Sequence, residues 1–193
     1  MNPDRGYRKS NLPGNAKRVF EGEIFDVYQW EQELYDGSKA VFEKLVRPDT
    51  AAVIPVLPDG SILLIEDSQP HRDTVLTVPT GKVDPGETPE QAARRELMEE
   101  TGYEVDSLEL LAEEQVTGKI DWIIYTYIGR GAKKTQEARP EAGEKIVPRI
   151  TSFDEFLELA ARERVLRMDT AHIALEANAS SEKREALKKR LLG

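Results

Sequence analysis

The chain contains no cysteine. Its 193 residues therefore hold no disulfide, no thiolate metal ligand and no cysteine nucleophile. Two histidines are present, His71 and His172, and no partner pattern surrounds either, so neither is assigned a catalytic role. Long apolar runs are missing too. The run Ala51-Ala52-Val53-Ile54 stops at Pro55, far short of the ~20 apolar residues that a membrane-spanning helix needs. Residues 1–18 are polar, lack the apolar centre of a secretory signal and read as a flexible lead-in. Basic charge is in deficit: 27 Lys and Arg stand against 36 Asp and Glu, a net charge of −9. Nucleic acid is held by neutralising its phosphates with Lys and Arg, so neither nucleic acid nor a membrane is an expected partner. The run Lys188-Lys189-Arg190 reads as the solvated face of a last helix. A chain this acidic that handles phosphates needs a cation to do so. Cytoplasmic location is the default expectation.

Hydrophobic residues make up 39% of the chain, enough for a real core. Residues 19–46 alternate aromatic and β-branched positions with polar ones around a hairpin turn at Asp36-Gly37. Strands are expected at 51–57 and 61–66 about the Pro58-Asp59-Gly60 turn, and at 75–78. Thr88-Pro89-Glu90-Gln91 has the form of a capping box with proline at the first helical position, and Gly102 is a stop signal, so a helix is expected over 89–101. Strands follow at 108–116 and 122–128, the latter with Trp122 in the core. A polar loop is expected over 129–145 and a strand over 146–150. A second capping box at Ser152 opens a helix to about 164, with further helices over 169–178 and 181–192. The order is mixed α/β and too irregular for a doubly wound parallel sheet.

The acids of the first helix are the unusual feature. Glu96 and Glu100 are i,i+4 and Glu99 lies beside them, so all three share one side of a 3.6-residue turn. Like charges at that spacing cost ~0.2–0.5 kcal/mol per pair, and Glu99 and Glu100 sit where the helix dipole disfavours anions. A solvated face relieved by Arg94, Arg95 and water would account for the pattern alone. Ala92, Ala93 and Leu97, however, turn the stripe partly toward the sheet. Acids crowded together and partly buried need a cation, and carboxylate oxygens suit Mg²⁺ or Mn²⁺.

The stretch runs Gly81, five residues, Glu87, seven residues, then Arg95-Glu96-Leu97-Met98-Glu99-Glu100-Thr101-Gly102-Tyr103. It resembles the Nudix box, G-x5-E-x7-R-E-U-x-E-E-x-G-U with U a bulky apolar residue, and departs only in Tyr103 at the last U. The resemblance implies a Nudix-type α/β/α sandwich with a mixed sheet. It implies hydrolysis, with Mg²⁺ (or Mn²⁺), of a nucleoside diphosphate linked to another moiety. By position it makes Glu96 and Glu100 the principal metal ligands, with Glu99 and Glu87 supporting. It makes Arg95 the residue that orients a glutamate, and the Thr80 carbonyl a further metal ligand.

The flanks resemble the ADP-ribose pyrophosphatase and nucleotide-sugar branch. That resemblance divides the chain into the lead-in (1–18), a β-rich extension (19–48) used for homodimerisation, the Nudix core (49–164) and extra C-terminal helices (165–193). It offers Gln69 and Arg72 as substrate contacts, with Tyr28 and Trp30 as aromatics able to stack on a base. It places Glu144 first and Glu141 second as the acid supplied by a loop, for metal or as base, alongside Glu99. Two positions depart from the branch: Thr77 stands where a glutamate is frequent, and Thr117-Gly118 occupies the region of a proline linked to ADP-ribose preference. The expected reaction is ADP-ribose to AMP and ribose 5-phosphate. Another nucleotide sugar such as GDP-mannose, a nucleoside triphosphate, and a non-catalytic nucleotide sensor are the alternatives.

Overall fold

A tight turn shapes the N-terminal part. Gly37 (φ 79°) closes the hairpin between β2 (Asp26–Glu33) and β3 (Lys39–Val46), and β1 (Lys17–Phe20) pairs antiparallel with β2. The computed structural model describes residues 6–160 and 168–193. Within them the core continues with β4 (Thr50–Val56), β5 (Ile62–Gln69), β6 (Arg72–Thr77) and β7 (Thr80–Lys82), then α1 (Pro89–Thr101) and β8 (Tyr103–Glu104). It goes on through β9 (Ser107–Gln115), β10 (Ile120–Asp121), β11 (Ile123–Arg130), β12 (Lys133–Lys134) and β13 (Lys145–Thr151), and ends in α2 (Phe153–Ala160), α3 (Met168–Ala179) and α4 (Ser181–Leu192).

Strand β4 decides the layering. All seven of its residues are buried, because the strand is covered on both faces. Ala51 and Val53 face α1, joining Leu63, Ala92, Ala93 and Leu97 in one apolar cluster. Ala52, Ile54 and Val56 face the other way and meet Phe156, Leu157, Ala174 and Leu191 of the last three helices. Period-two alternation along one strand thus builds an α/β/α sandwich. The sheet runs β13-β5-β4-β11-β9, with β6 beside β5 and β7 beside β4. Only the β4–β11 pair within it is parallel, so the sheet is mixed. The N-terminal strands form a separate sheet, which β10 joins alongside β3.

The end signals hold. Thr88 and Gln91 make both bonds of the capping box, and Gly102 (φ 74°) ends α1. Of the expected box at Ser152 only half is present among the described residues: Ser152 Oγ accepts from the Glu155 N–H at 3.1 Å, but the Glu155 carboxylate accepts from Arg149 instead of closing the box. The helix from Ser152 is described only to Ala160, and its expected continuation to about residue 164 lies outside the described residues.

Three expectations need correction. The segment 129–145 is not one loop: β11 extends through Arg130, Ala132 is buried, and β12 pairs with β8. Trp122 is not in a strand but between β10 and β11. There its Nε1 donates to Thr50 Oγ1 at 3.0 Å, and Arg47 lies 4.2 Å over its ring. The lead-in is tied down from Tyr7 onward. Arg8 pairs with Asp49 and Asp121, both fully buried, and Leu12 is buried against Tyr28 and Val46.

Candidate active site

The turn into α1 brings the box together. Thr80 donates its backbone N–H to Glu100 Oε2 at 2.9 Å. A Cβ on Gly81 would fall 2.0 Å from the Glu96 carboxyl, so glycine there provides the space in which that carboxylate lies. Its φ is outside the left-handed region, and room rather than backbone freedom is what it supplies. Glu100 is 5% exposed. Burial, reinforced by the charges of Glu96, Glu144 and Asp67, pushes its carboxyl up to about 9 against the pull of the Thr80 N–H.

Arg95 organises the rest. Its Nε and Nη2 donate to the two oxygens of Glu87 at 2.8 and 2.9 Å. Its Nη1 reaches Glu96 at 2.7 Å and Glu99 at 3.1 Å, and Nη2 also donates to the Lys82 carbonyl. One guanidinium thus holds three glutamates, a task its planar fork suits. Glu87 is lowered by this pairing. Glu96 is raised, because burial outweighs the Arg95 contact.

A second set of acids arrives from the segment between β12 and β13. The N–H groups of Thr135 and Gln136 donate to the Gly102 carbonyl, and that of Arg139 donates to the Glu99 carbonyl at 2.6 Å. The open carbonyls at the C-terminus of α1 therefore anchor this segment. Glu141 is brought near enough to raise Glu96, and Glu144 near enough to raise Glu100. Gln69 Nε2 donates to Glu144 Oε1 at 3.2 Å, and Arg72 pairs with Asp67. Burial, with the charge of Asp67, raises Glu144 in turn.

The structure thus gathers Thr80, Glu87, Arg95, Glu96, Glu99, Glu100, Glu141, Glu144, Gln69 and Arg72. It does not bring Tyr28 and Trp30 to them. Tyr28 is buried against Leu12 and Val46, and Trp30 packs against Phe42 in the N-terminal sheet. Sequence reasoning missed Asp67. The available signal was an acid two residues beyond Ile65 on a strand whose residues 62–65 are all buried. A cleft of about 360 Å³ lies between the N-terminal sheet and the box turn, lined by Arg18, Ile24, Arg47, Val83, Pro85 and Gly86 among others.

The donors are all oxygens, the set that hard divalent cations prefer. A buried Glu100 among like charges and a Glu96 carboxylate lying over Gly81 fit such an ion. Among the described residues no three acid or imidazole side chains are grouped so as to hold a metal ion; Arg95 stands among Glu87, Glu96 and Glu99 and holds them.

A sequence profile of the NUDIX domain matches residues 46–169. The chain is 28% identical to an ADP-ribose pyrophosphatase of Bacillus subtilis (strain 168) over 159 residues, 81% of this chain and 86% of that one. It is 29% identical to a methanol dehydrogenase activator of Bacillus methanolicus over 153 residues, 78% and 83% of the two chains. The solved structure of an ADP compounds hydrolase superposes with a TM-score of 0.72 over 93% of this chain and 95% of that one. At 19% identity that likeness speaks to the fold alone.

Proposed function

The chain belongs to the NUDIX domain family and is a Nudix pyrophosphohydrolase; from that premise we propose that it hydrolyses the pyrophosphate bond of a nucleoside diphosphate sugar, ADP-ribose foremost, to AMP and ribose 5-phosphate. The observation that carries the reading is the meeting of two acid sets. The helix supplies Glu96 and Glu100, and the segment anchored on that helix supplies Glu141 and Glu144 beside them.

In this reading Glu96 and Glu100 hold the divalent cation, Mg²⁺ by preference and Mn²⁺ in its place, with Glu99, Glu87 and the Thr80 carbonyl in support. Held there, such a cation would neutralise the diphosphate and lower the pKa of a bound water. Arg95 fixes the glutamate rotamers, so that the ligands are set before substrate arrives. Glu144 takes the proton from the attacking water. Its raised carboxyl is a better acceptor near neutral pH than an ordinary glutamate. Glu141 stands second and Glu99 third for that role. Gln69, which donates to Glu144, and Arg72, which pairs with Asp67, are assigned as substrate contacts. Residues 19–48 form the surface on which a second copy docks, around the core of 49–164 and the helices of 165–193. No helix among the described residues is long and apolar enough to cross a membrane, and the cytoplasm, where nucleotide sugars are made and used, is the proposed location.

The test is incubation of the protein with Mg²⁺ and ADP-ribose, followed by separation of products. AMP with ribose 5-phosphate is expected, and Glu100→Gln should lose turnover by at least the ~10–100-fold seen even for residues that merely orient metal ligands. A panel with GDP-mannose and nucleoside triphosphates ranks substrates. Binding of ADP-ribose without product would turn the assignment to a sensor, and pyrophosphate released from a triphosphate would turn it to a triphosphatase.

A further inference from the structure

We infer, on the reading above, that Arg8 is a positioning residue for the hydrolytic site: acting through Asp49, it sets the short strand β7 on which the box glutamates are built. Strand β7 supplies the main chain that those glutamates use. Its Thr80 N–H donates to Glu100, its Gly81 leaves the space in which Glu96 lies, and its Lys82 carbonyl accepts from Arg95. A strand of three residues depends on its neighbour for its position. That neighbour is the start of β4, with Thr50 opposite Lys82, Ala51 opposite Gly81 and Ala52 opposite Thr80. One residue earlier, the Asp49 carbonyl accepts from the Val83 N–H at 2.9 Å, just past the end of β7.

Asp49 is fully buried, and a buried carboxylate keeps its place only while it is paired. Arg8 Nε and Nη2 donate to its two oxygens, Tyr7 Oη donates at 2.9 Å, and the Ile123 N–H donates at 2.8 Å. The same guanidinium reaches Asp121, also buried, at the end of β10. The lead-in therefore fixes the Asp49 side chain, while the Asp49 main chain fixes Val83. Tyr7 also lines the cleft in company with Val83, Asp84, Pro85 and Gly86, so the lead-in meets the same turn a second time. Without Arg8 the Asp49 charge is uncompensated. Its segment then shifts toward water and carries Val83, Lys82 and the anchor of Arg95 with it. A misplacement of about 1 Å from a change far from the chemistry can cost on the order of 100-fold in rate.

The experiment is hydrogen–deuterium exchange of the full chain in EDTA, read over residues 80–88, together with kcat and KM for ADP-ribose hydrolysis. Leu187→Ala, in the apolar cluster on the other side of the sheet, is the control for lost stability alone. Below the unfolding transitions of both variants, exchange over 80–88 should be faster in Arg8→Ala than in Leu187→Ala. In Arg8→Ala kcat should fall ~10–100-fold with KM little changed, and in Leu187→Ala both should stay near the parent. Exchange over 80–88 unchanged in Arg8→Ala, or raised no more than in Leu187→Ala, would overturn the inference. So would faster exchange with kcat intact. Tyr7→Phe removes one bond to Asp49 and should show the same exchange pattern at smaller amplitude. Where Arg8→Ala does not fold, unchanged exchange in Tyr7→Phe overturns the inference. A parent protein that leaves ADP-ribose intact would sink the proposed function, and the exchange comparison, which needs neither metal nor substrate, would still decide whether Arg8 sets β7.

Discussion

Glu100 is the residue on which stability and activity pull in opposite directions. Burial pushes its carboxyl up to about 9 from an ordinary 4.5. Below the lower value both the folded and the unfolded chain keep the proton, and the residue costs nothing. Between the two values the unfolded chain has released it and the folded chain has not. The unfolded state then binds fewer protons, and stability falls as pH rises through that window. Glu100→Gln removes the titration. In EDTA the variant is expected to be more stable than the parent at pH 8, to match it more closely at pH 5, and to have lost cation-dependent hydrolysis. Urea midpoints at the two pH values check this; parallel behaviour of the two proteins would contradict it. A carboxylate perturbed this strongly by burial is a candidate for a functional role.

At the scale of elements, the lead-in acts as a strap over the junction between the two sheets. Arg8 Nε and Nη2 reach Asp49 at 2.5 and 2.7 Å, and Nη2 reaches Asp121 at 2.8 Å. Tyr7 and Ser10 add hydrogen bonds to the same two carboxylates. Asp49 also accepts from the Ile123 N–H at the start of β11. Removing one partner from a buried ion network leaves an uncompensated charge, so Arg8→Ala is expected to lose about 3–5 kcal/mol in urea denaturation. A loss within error would show the strap to be ornamental. This contact was out of reach of the sequence, because Arg8 and Asp49 are 41 residues apart and Ser10 and Asp121 are 111 apart. What could be read was local. The Thr88–Gln91 box and Gly102 fixed both ends of α1, and Ser180 caps an α4 that spans the expected residues. The box acids were legible for the same reason, since helical spacing alone puts Glu96 and Glu100 on one side. Asp67 was not, because it is buried beside Arg72 and close enough to raise Glu100 only in the folded sheet. The buried Ala132 in a polar segment escaped notice likewise: its N–H pairs with the Val56 carbonyl at the far end of β4.

Among the described residues, the N-terminal sheet presents a cluster of exposed apolar side chains on one face. Register in the N-terminal sheet puts Phe20 opposite Val27 and Val27 opposite Leu45, on the face away from buried Tyr28. Phe20 is 57% and Val41 71% exposed, with Val19 and Ile24 exposed beside them. Exposed apolar patches of this kind mark sites of association, and the sheet is too small to bury a second face by itself. A second copy of the chain, meeting like surface with like about a two-fold axis, would cover it without leaving an open edge for further growth. The expectation is a dimer in sedimentation velocity at micromolar concentration, converted to monomer by Phe20→Glu combined with Val41→Glu. Every acid of the candidate site comes from a single chain, so kcat should survive monomerisation. The cleft lined by Ile24, Arg47 and Pro85 borders the N-terminal sheet, so KM should rise when that sheet loses its support. A monomeric parent protein, or a charged variant that remains dimeric, would place the association surface elsewhere; loss of kcat with the fold intact would mean that the partner copy takes part in the chemistry.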